Sequence, residues 1–123
     1  MKKIAALLLS CMLMVLITAC GGNNTSSNSD AEATASEEII IKATNYAFDK
    51  EEYRIKKDVP VKVTFVNEEG NHGILVPGLN LNLDTKKTSK VITPDKVGEF
   101  EVSCSVFCGS GHGAMIAKII VEE

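Results

Sequence analysis

In three segments after Glu38 the apolar residues recur at every second position, and this period of two constrains the fold more than any other feature of the chain. In Val61–Asn67 the alternation is interrupted only at Val66. In Phe100–Cys104 the residues Phe100, Val102 and Cys104 share one side. In Met115–Val121 the residues Met115, Ala117, Ile119 and Val121 share one side, with Lys118 on the other. Successive side chains of a strand point to opposite faces, so each segment reads as a half-buried strand. Glu38–Ala43, Tyr53–Lys56, His72–Val76 and Thr88–Ile92 add short β-branched or apolar runs of the same type. Turn residues separate them at Glu68–Asn71, Pro77–Gly78 and Pro94. No segment sustains a helical period. The expected class is all-β, a sandwich or barrel of short strands. The 86 residues from Glu38 to Glu123 suffice for one small domain with one core, and no repeat divides them.

The N-terminus obeys a different rule. Lys2 and Lys3 precede Ile4–Ala19, an apolar run interrupted only by Ser10, Cys11 and Thr18. A spanning helix needs about 20 apolar residues, so this shorter run suits the core of an export signal. Leu16-Ile17-Thr18-Ala19-Cys20-Gly21 resembles the bacterial lipobox. That resemblance implies cleavage before Cys20, a lipid on its sulfur, and an exported protein on the extracytoplasmic face of the cell membrane. An ordinary signal with a chance cysteine and a retained anchor helix are the alternatives. Gly22–Glu37 lacks any large apolar residue and cannot offset the entropy of ordering, so it reads as a flexible tether. A tether of this composition holds a domain about 20 Å away. The expected organisation is a lipoprotein signal peptide over 1–19, lipidated Cys20 and tether over 20–37, and the folded domain over 38–123.

Loss of Lys2 and Lys3 with the signal carries the formal charge from -3 to -5. A nucleic-acid partner is excluded, because phosphate contacts need clustered Lys and Arg, and Lys56-Lys57 and Lys86-Lys87 are isolated pairs.

The chemistry concentrates in one stretch. Cys104-Ser105-Val106-Phe107-Cys108-Gly109-Ser110-Gly111-His112-Gly113-Ala114-Met115 holds two cysteines, a histidine and a methionine. The second histidine, His72, follows a turn and opens a strand. Thiolate, imidazole and thioether together are the donors that copper prefers. The glycines allow the loop to curl so that its side chains converge. His72, Cys108, His112 and Met115 alone form the His2Cys set with a weak axial Met of a mononuclear blue-copper site. Cys104 changes that reading, because two thiolates can bridge two copper ions and share one unpaired electron between them. A disulfide between Cys104 and Cys108 and a zinc site from the Cys and His residues remain alternatives.

Cys-x3-Cys-x3-His-x2-Met with an upstream His-Gly resembles the CuA site of cytochrome c oxidase subunit II, and nitrous-oxide reductase carries a similar domain. The likeness extends to Ala43–Phe48 and to Asn71–Asn80, and covers most of Ile39–Glu123. It implies a cupredoxin-like Greek-key β-sandwich or barrel with two copper ions. By position, Cys104 and Cys108 would be the bridging thiolates. His72 and Met115 would complete one copper, and His112 and the backbone carbonyl of Val106 the other. The family often has Glu where Val106 stands, and in oxidases that Glu helps to hold a magnesium ion against subunit I. Its replacement puts docking on an oxidase core in doubt. The chain also has no Trp, whereas subunit II uses an aromatic cluster for electron entry. Phe107 and Tyr46 are substitutes by type, with core packing the expected role of each.

The resemblance implies an electron carrier that performs no bond chemistry itself. Its partners would be cytochrome c or another redox protein, a terminal oxidase, and copper-delivery proteins. The alternative from a different class is an extracytoplasmic copper chaperone, buffer or sensor. Apart from Met115 the methionines lie in the signal segment, and this lack of a Met-rich tract favours electron transfer. Thiol–disulfide exchange by Cys104 and Cys108 is a third class, which would not need His72 or Met115.

Overall fold

The computed structural model describes residues 34–123. The segments expected to be a signal and a tether, together with Cys20, lie outside the described residues as far as residue 33. Among the described residues no helix is long and apolar enough to cross a membrane.

Among the described residues nine strands form: β1 (Glu37–Thr44), β2 (Ala47–Phe48), β3 (Glu52–Lys56), β4 (Val61–Asn67), β5 (Ile74–Val76), β6 (Leu81–Leu83), β7 (Ser89–Ile92), β8 (Gly98–Cys104) and β9 (Ile116–Glu122). They make two sheets, ordered β2-β1-β4-β7 and β3-β9-β8-β5-β6. The chain passes repeatedly from one sheet to the other, so β1 lies parallel to β4 and β3 parallel to β9. The result is the expected all-β sandwich.

The core lies between the sheets, where the period of two places it. Ile41 and Ala43 of β1 and Val61, Val63 and Phe65 of β4 are buried on one side. Val102, Ala117, Ile119 and Val121 of β8 and β9 are buried on the other, joined by Tyr53 and Ile55 of β3. Each fully buried Val, Ile or Phe contributes about 1.5–3 kcal/mol. A register slip of one residue would turn these side chains out to water, so the registers are well specified.

Those registers gather three connections at one end of the sandwich. Ala43 pairs with Asn67 where β1 and β4 finish, which brings the 45–46 turn beside the 68–73 loop. Ile74 pairs with Cys104, and Ser103 with Ile116, which brings the 105–115 loop to the same place.

Two short strands, β2 and β6, were not expected from the sequence pattern. β5 also begins at Ile74 rather than His72, and β9 at Ile116 rather than Met115. His72 and Met115 are both buried just before these strands begin.

Candidate metal centre

Thirty-two positions separate His72 from Cys104, and the β5–β8 register closes that gap. The Ser105 amide donates to the Gly73 carbonyl at 3.2 Å, which continues the ladder one step past Cys104. A Cβ at Gly73 would stand 2.4 Å from Ser105 Oγ and 2.9 Å from the Leu83 carbonyl, so the close approach requires glycine. Nδ1 of His72 then lies 3.8 Å from Cys104 Sγ. His72 is fully buried and is the one buried polar side chain among the described residues. A buried imidazole at a sheet end needs partners. Nε2 has Asn45 Oδ1 at 3.0 Å, and Nδ1 faces the sulfurs.

The other half of the site is built by the 105–115 loop. Cys108 Sγ lies 3.8 Å from Cys104 Sγ, 3.6 Å from His112 Nδ1 and 3.7 Å from Met115 Sδ. The carbonyl of Val106 turns inward, 3.1 Å from Cys104 Sγ. A single turn of 3₁₀ helix over His112–Ala114 closes the loop, with the Met115 amide donating to the His112 carbonyl at 3.3 Å. The loop rests on Tyr46. A Cβ at Gly109 would meet Tyr46 Oη at 2.7 Å, and one at Gly111 would meet Tyr46 Cγ at 2.3 Å. Gly109 also has φ +128°, a backbone conformation that only glycine adopts without strain.

All six residues expected to hold copper therefore meet at one end of the sandwich. The donor atoms of His72, Cys104 and Cys108 fall within 4.8 Å of one another. Cys104 and Cys108 are free thiols in this structure, with a sulfur separation of 3.8 Å, well beyond the roughly 2.05 Å of a bond. Burial pushes the Cys108 thiol up, and the adjacent Cys104 sulfur pushes it further in the same direction. Two crowded sulfurs resist carrying negative charge together, and a soft cation between them removes that conflict. The donor set fits such an ion. It combines two sulfurs, two imidazole nitrogens, a thioether and a carbonyl, and the thioether favours copper over zinc.

The site has a closed side and an open side. His72, Cys104 and Met115 are buried, whereas Val106, Cys108 and His112 are half-buried. Phe107 lies beside His112, with ring centroids 5.6 Å apart. The expectation that Phe107 and Tyr46 pack in the core is corrected here. Phe107 is 82% exposed and Tyr46 is 39% exposed. Phe107 sits in a loop whose inward directions are taken by Val106 and Cys108. Tyr46 is used from outside, as the floor beneath Gly109 and Gly111. Asn45 was missed as a site residue. Its only signal in the sequence was its place within Ala43–Phe48, the segment similar to the first strand of CuA domains.

No protein-family model matches the chain. The chain is 36% identical over 66 residues to the alternative cytochrome c oxidase subunit 2 of Bradyrhizobium diazoefficiens, covering 51% of this chain and 24% of that protein. It is 31% identical over 83 residues to the nitrous-oxide reductase of Stutzerimonas stutzeri, covering 62% of this chain and 13% of that protein. The chain thus spans less than a quarter of the length of either relative. In fold it is similar to the periplasmic domain of subunit II of cytochrome oxidase from Bradyrhizobium japonicum. That likeness has a TM-score of 0.66 and 18% identity, and covers 74% of this chain and 87% of that one. Sandwich topology, the gathered donor set and the subunit II relatives agree, and the chain carries a cupredoxin-like domain that resembles the CuA domain of cytochrome c oxidase subunit II.

Proposed function

We propose that this chain is an extracytoplasmic electron-transfer protein that holds two copper ions in a CuA-type centre, and that a lipid on Cys20 tethers it to the cell membrane. One observation carries the reading. Two free thiol sulfurs lie 3.8 Å apart, with an imidazole Nδ1 beside each and Met115 Sδ and the Val106 carbonyl completing the ring. In this reading Cys104 and Cys108 would hold both ions as shared thiolates. His72 and Met115 would be the further ligands on one side, and His112 and the Val106 carbonyl those on the other. The bound pair supplies a one-electron couple whose charge is shared between two ions.

The protein's own part is to hold the donors still. His72 and Cys104 are fixed by the β5–β8 register, and Met115 is buried where β9 begins. A donor set fixed before and after the electron arrives keeps the cost of reorganisation low. Burial of His72 and Met115 excludes water on the inner side. His112 and the exposed Phe107 offer the short route to the surface. Cytochrome c or another redox protein would meet the centre there, and a terminal oxidase is the natural destination for the electron. Val106 lacks the carboxylate that a magnesium site would need, which favours a free-standing carrier over an oxidase subunit.

The full chain is loaded with copper, the metal is counted, and visible and EPR spectra are recorded. Two coppers per chain, a purple colour and a seven-line EPR pattern are expected. One colourless Cu(I), or one copper with a four-line pattern, would overturn the binuclear reading and bring copper delivery or a mononuclear site forward. Mass spectrometry of membrane-derived protein tests the tether: the expected N-terminus is a lipid-modified Cys20, and an uncut or unmodified terminus rejects it.

A further inference from the structure

We propose that Asn45 is a positioning residue that holds the His72 proton on Nε2, so that the bare Nδ1 faces the two cysteine sulfurs. The functional meaning of this inference rests on the copper reading; its structural content does not.

A neutral imidazole carries one N–H and one lone pair, and the partner of one nitrogen decides the state of the other. His72 is fully buried, so water does not compete for either nitrogen. Nε2 lies 3.0 Å from Asn45 Oδ1, a carbonyl oxygen that can only accept, so Nε2 donates. Nδ1 is left with its lone pair, 3.8 Å from Cys104 Sγ. A metal ligand needs that arrangement, and a hydrogen-bond acceptor on the far nitrogen is how proteins usually secure it.

The surroundings hold Asn45 to this task. Gly70 closes over the hydrogen bond with φ +82°, and a Cβ there would stand 2.3 Å from Asn45 Oδ1 and 2.7 Å from His72 Nε2. Gly70 is itself pinned. Asn67 Nδ2 donates to its carbonyl at 2.7 Å, and the Glu68 amide donates to the Ala43 carbonyl at 2.9 Å. The 67–70 turn is thus tied to the end of β1, where Asn45 begins the next turn. Asn45 is otherwise exposed, and no other side-chain hydrogen bond involves it among the described residues. Its amide reaches from the surface to a buried ring, so it can be altered without opening the core.

The test uses the full-length, metal-free protein labelled with ¹⁵N, at a pH where His72 is neutral. Long-range ¹H–¹⁵N correlation reads the tautomer directly. The wild type is expected to show one His72 tautomer, Nε2–H. Asn45→Ala is expected to admit the Nδ1–H form, and Asn45→Asp, which keeps an accepting oxygen, to restore Nε2–H. Gly70→Ala perturbs the same hydrogen bond from another element and is expected to act like Asn45→Ala. Copper affinity should fall about 10–100-fold in Asn45→Ala and recover in Asn45→Asp. A wild-type Nδ1–H tautomer, or a tautomer unchanged in Asn45→Ala, would overturn the inference even if two coppers bind. A tautomer that depends on Asn45, in a chain that takes up no copper pair, supports the positioning role and rejects the copper reading.

Discussion

Gly111 and Gly113 lie two residues apart in the ligand loop, and the structure assigns them opposite responses to one methyl group. Neither glycine adopts the left-handed backbone region, so alanine is conformationally allowed at both. A Cβ at Gly113 meets nothing within 4 Å. Gly113→Ala removes freedom from the unfolded chain only, and should stabilise by up to about 1 kcal/mol. A Cβ at Gly111 would lie 2.3, 2.5 and 2.6 Å from Cγ, Cβ and Cδ2 of Tyr46. Those atoms sit at the root of the side chain and cannot swing away, so the loop must lift. Overpacking of this kind costs about 1–3 kcal/mol. The two variants should therefore differ by about 1–4 kcal/mol in urea unfolding of the metal-free protein. Tyr46→Ala removes Cγ and Cδ2 but leaves Cβ, so the double variant with Gly111→Ala should recover part of the loss, with a coupling of about 0.5–3 kcal/mol. Copper loading gives a second readout, because His112 follows Gly111 directly and should be displaced in that variant alone. Equal stabilities for Gly111→Ala and Gly113→Ala would refute the view that Tyr46 supports the loop.

Three further outcomes are expected. Cys104→Ser and Cys108→Ser each remove one of the two sulfurs that lie 3.8 Å apart, so copper uptake should fall to one per chain or fewer and the seven-line EPR pattern should vanish; a retained seven-line signal rejects the bridging role. The Tyr53 phenol is held well above its ordinary range, first by burial and then by the hydrogen bond it donates to Asp49 Oδ1 at 2.7 Å. The folded state therefore keeps a proton that the unfolded state loses near pH 10, so this stability is present below about pH 10 and lost as pH rises further. Tyr53→Phe should cost about 0.5–1.5 kcal/mol at pH 7 and flatten the alkaline decline, and an unchanged alkaline limb in urea titrations would contradict this account. Phe107→Ala should shift stability by no more than about 0.5 kcal/mol, because the ring is exposed. If partners dock there, the same variant should raise the KM for the electron donor about fivefold or more, and an unchanged KM rejects Phe107 as a docking group.

Local repetition was legible in the sequence, whereas features defined by a distant partner were not. Phe100, Val102 and Cys104 alternate within one strand, so the burial of Val102 and Cys104 follows from the pattern alone. Cys104, Cys108, His112 and Met115 could be grouped because a single loop carries them. β2 and β6 have no local signal of comparable strength. Ala47–Phe48 is a strand because Ala43 pairs with Phe48, and Leu81–Leu83 because Leu83 pairs with Ile74. Hydrophobicity alone put Phe107 and Tyr46 in the core, but loop direction left one in water and placed the other beneath two glycines. Asn45 was hidden for the same reason: its partner, His72, is 27 positions away.

The two halves of the site differ in what holds them, and this decides how each should fail. His72 and Cys104 are placed by the β5–β8 ladder, which shares its core side chains with the whole second sheet. Cys108 and His112 are placed by a loop that depends on short-range turns and on the Tyr46 ring. A change in the ladder should lose the site together with global stability, since the same burial sustains both. A change in the loop should alter the site while most of the fold survives, because loops open at lower free energy than the strands that carry them. Hydrogen exchange on the metal-free protein separates the two. The Ile74 and Val102 amides should open only with global unfolding, and those of Gly109 to Ala114 well before it. Equal protection in ladder and loop would mean that the two halves are one cooperative unit, and that Tyr46 and the glycines are not independent determinants of the site.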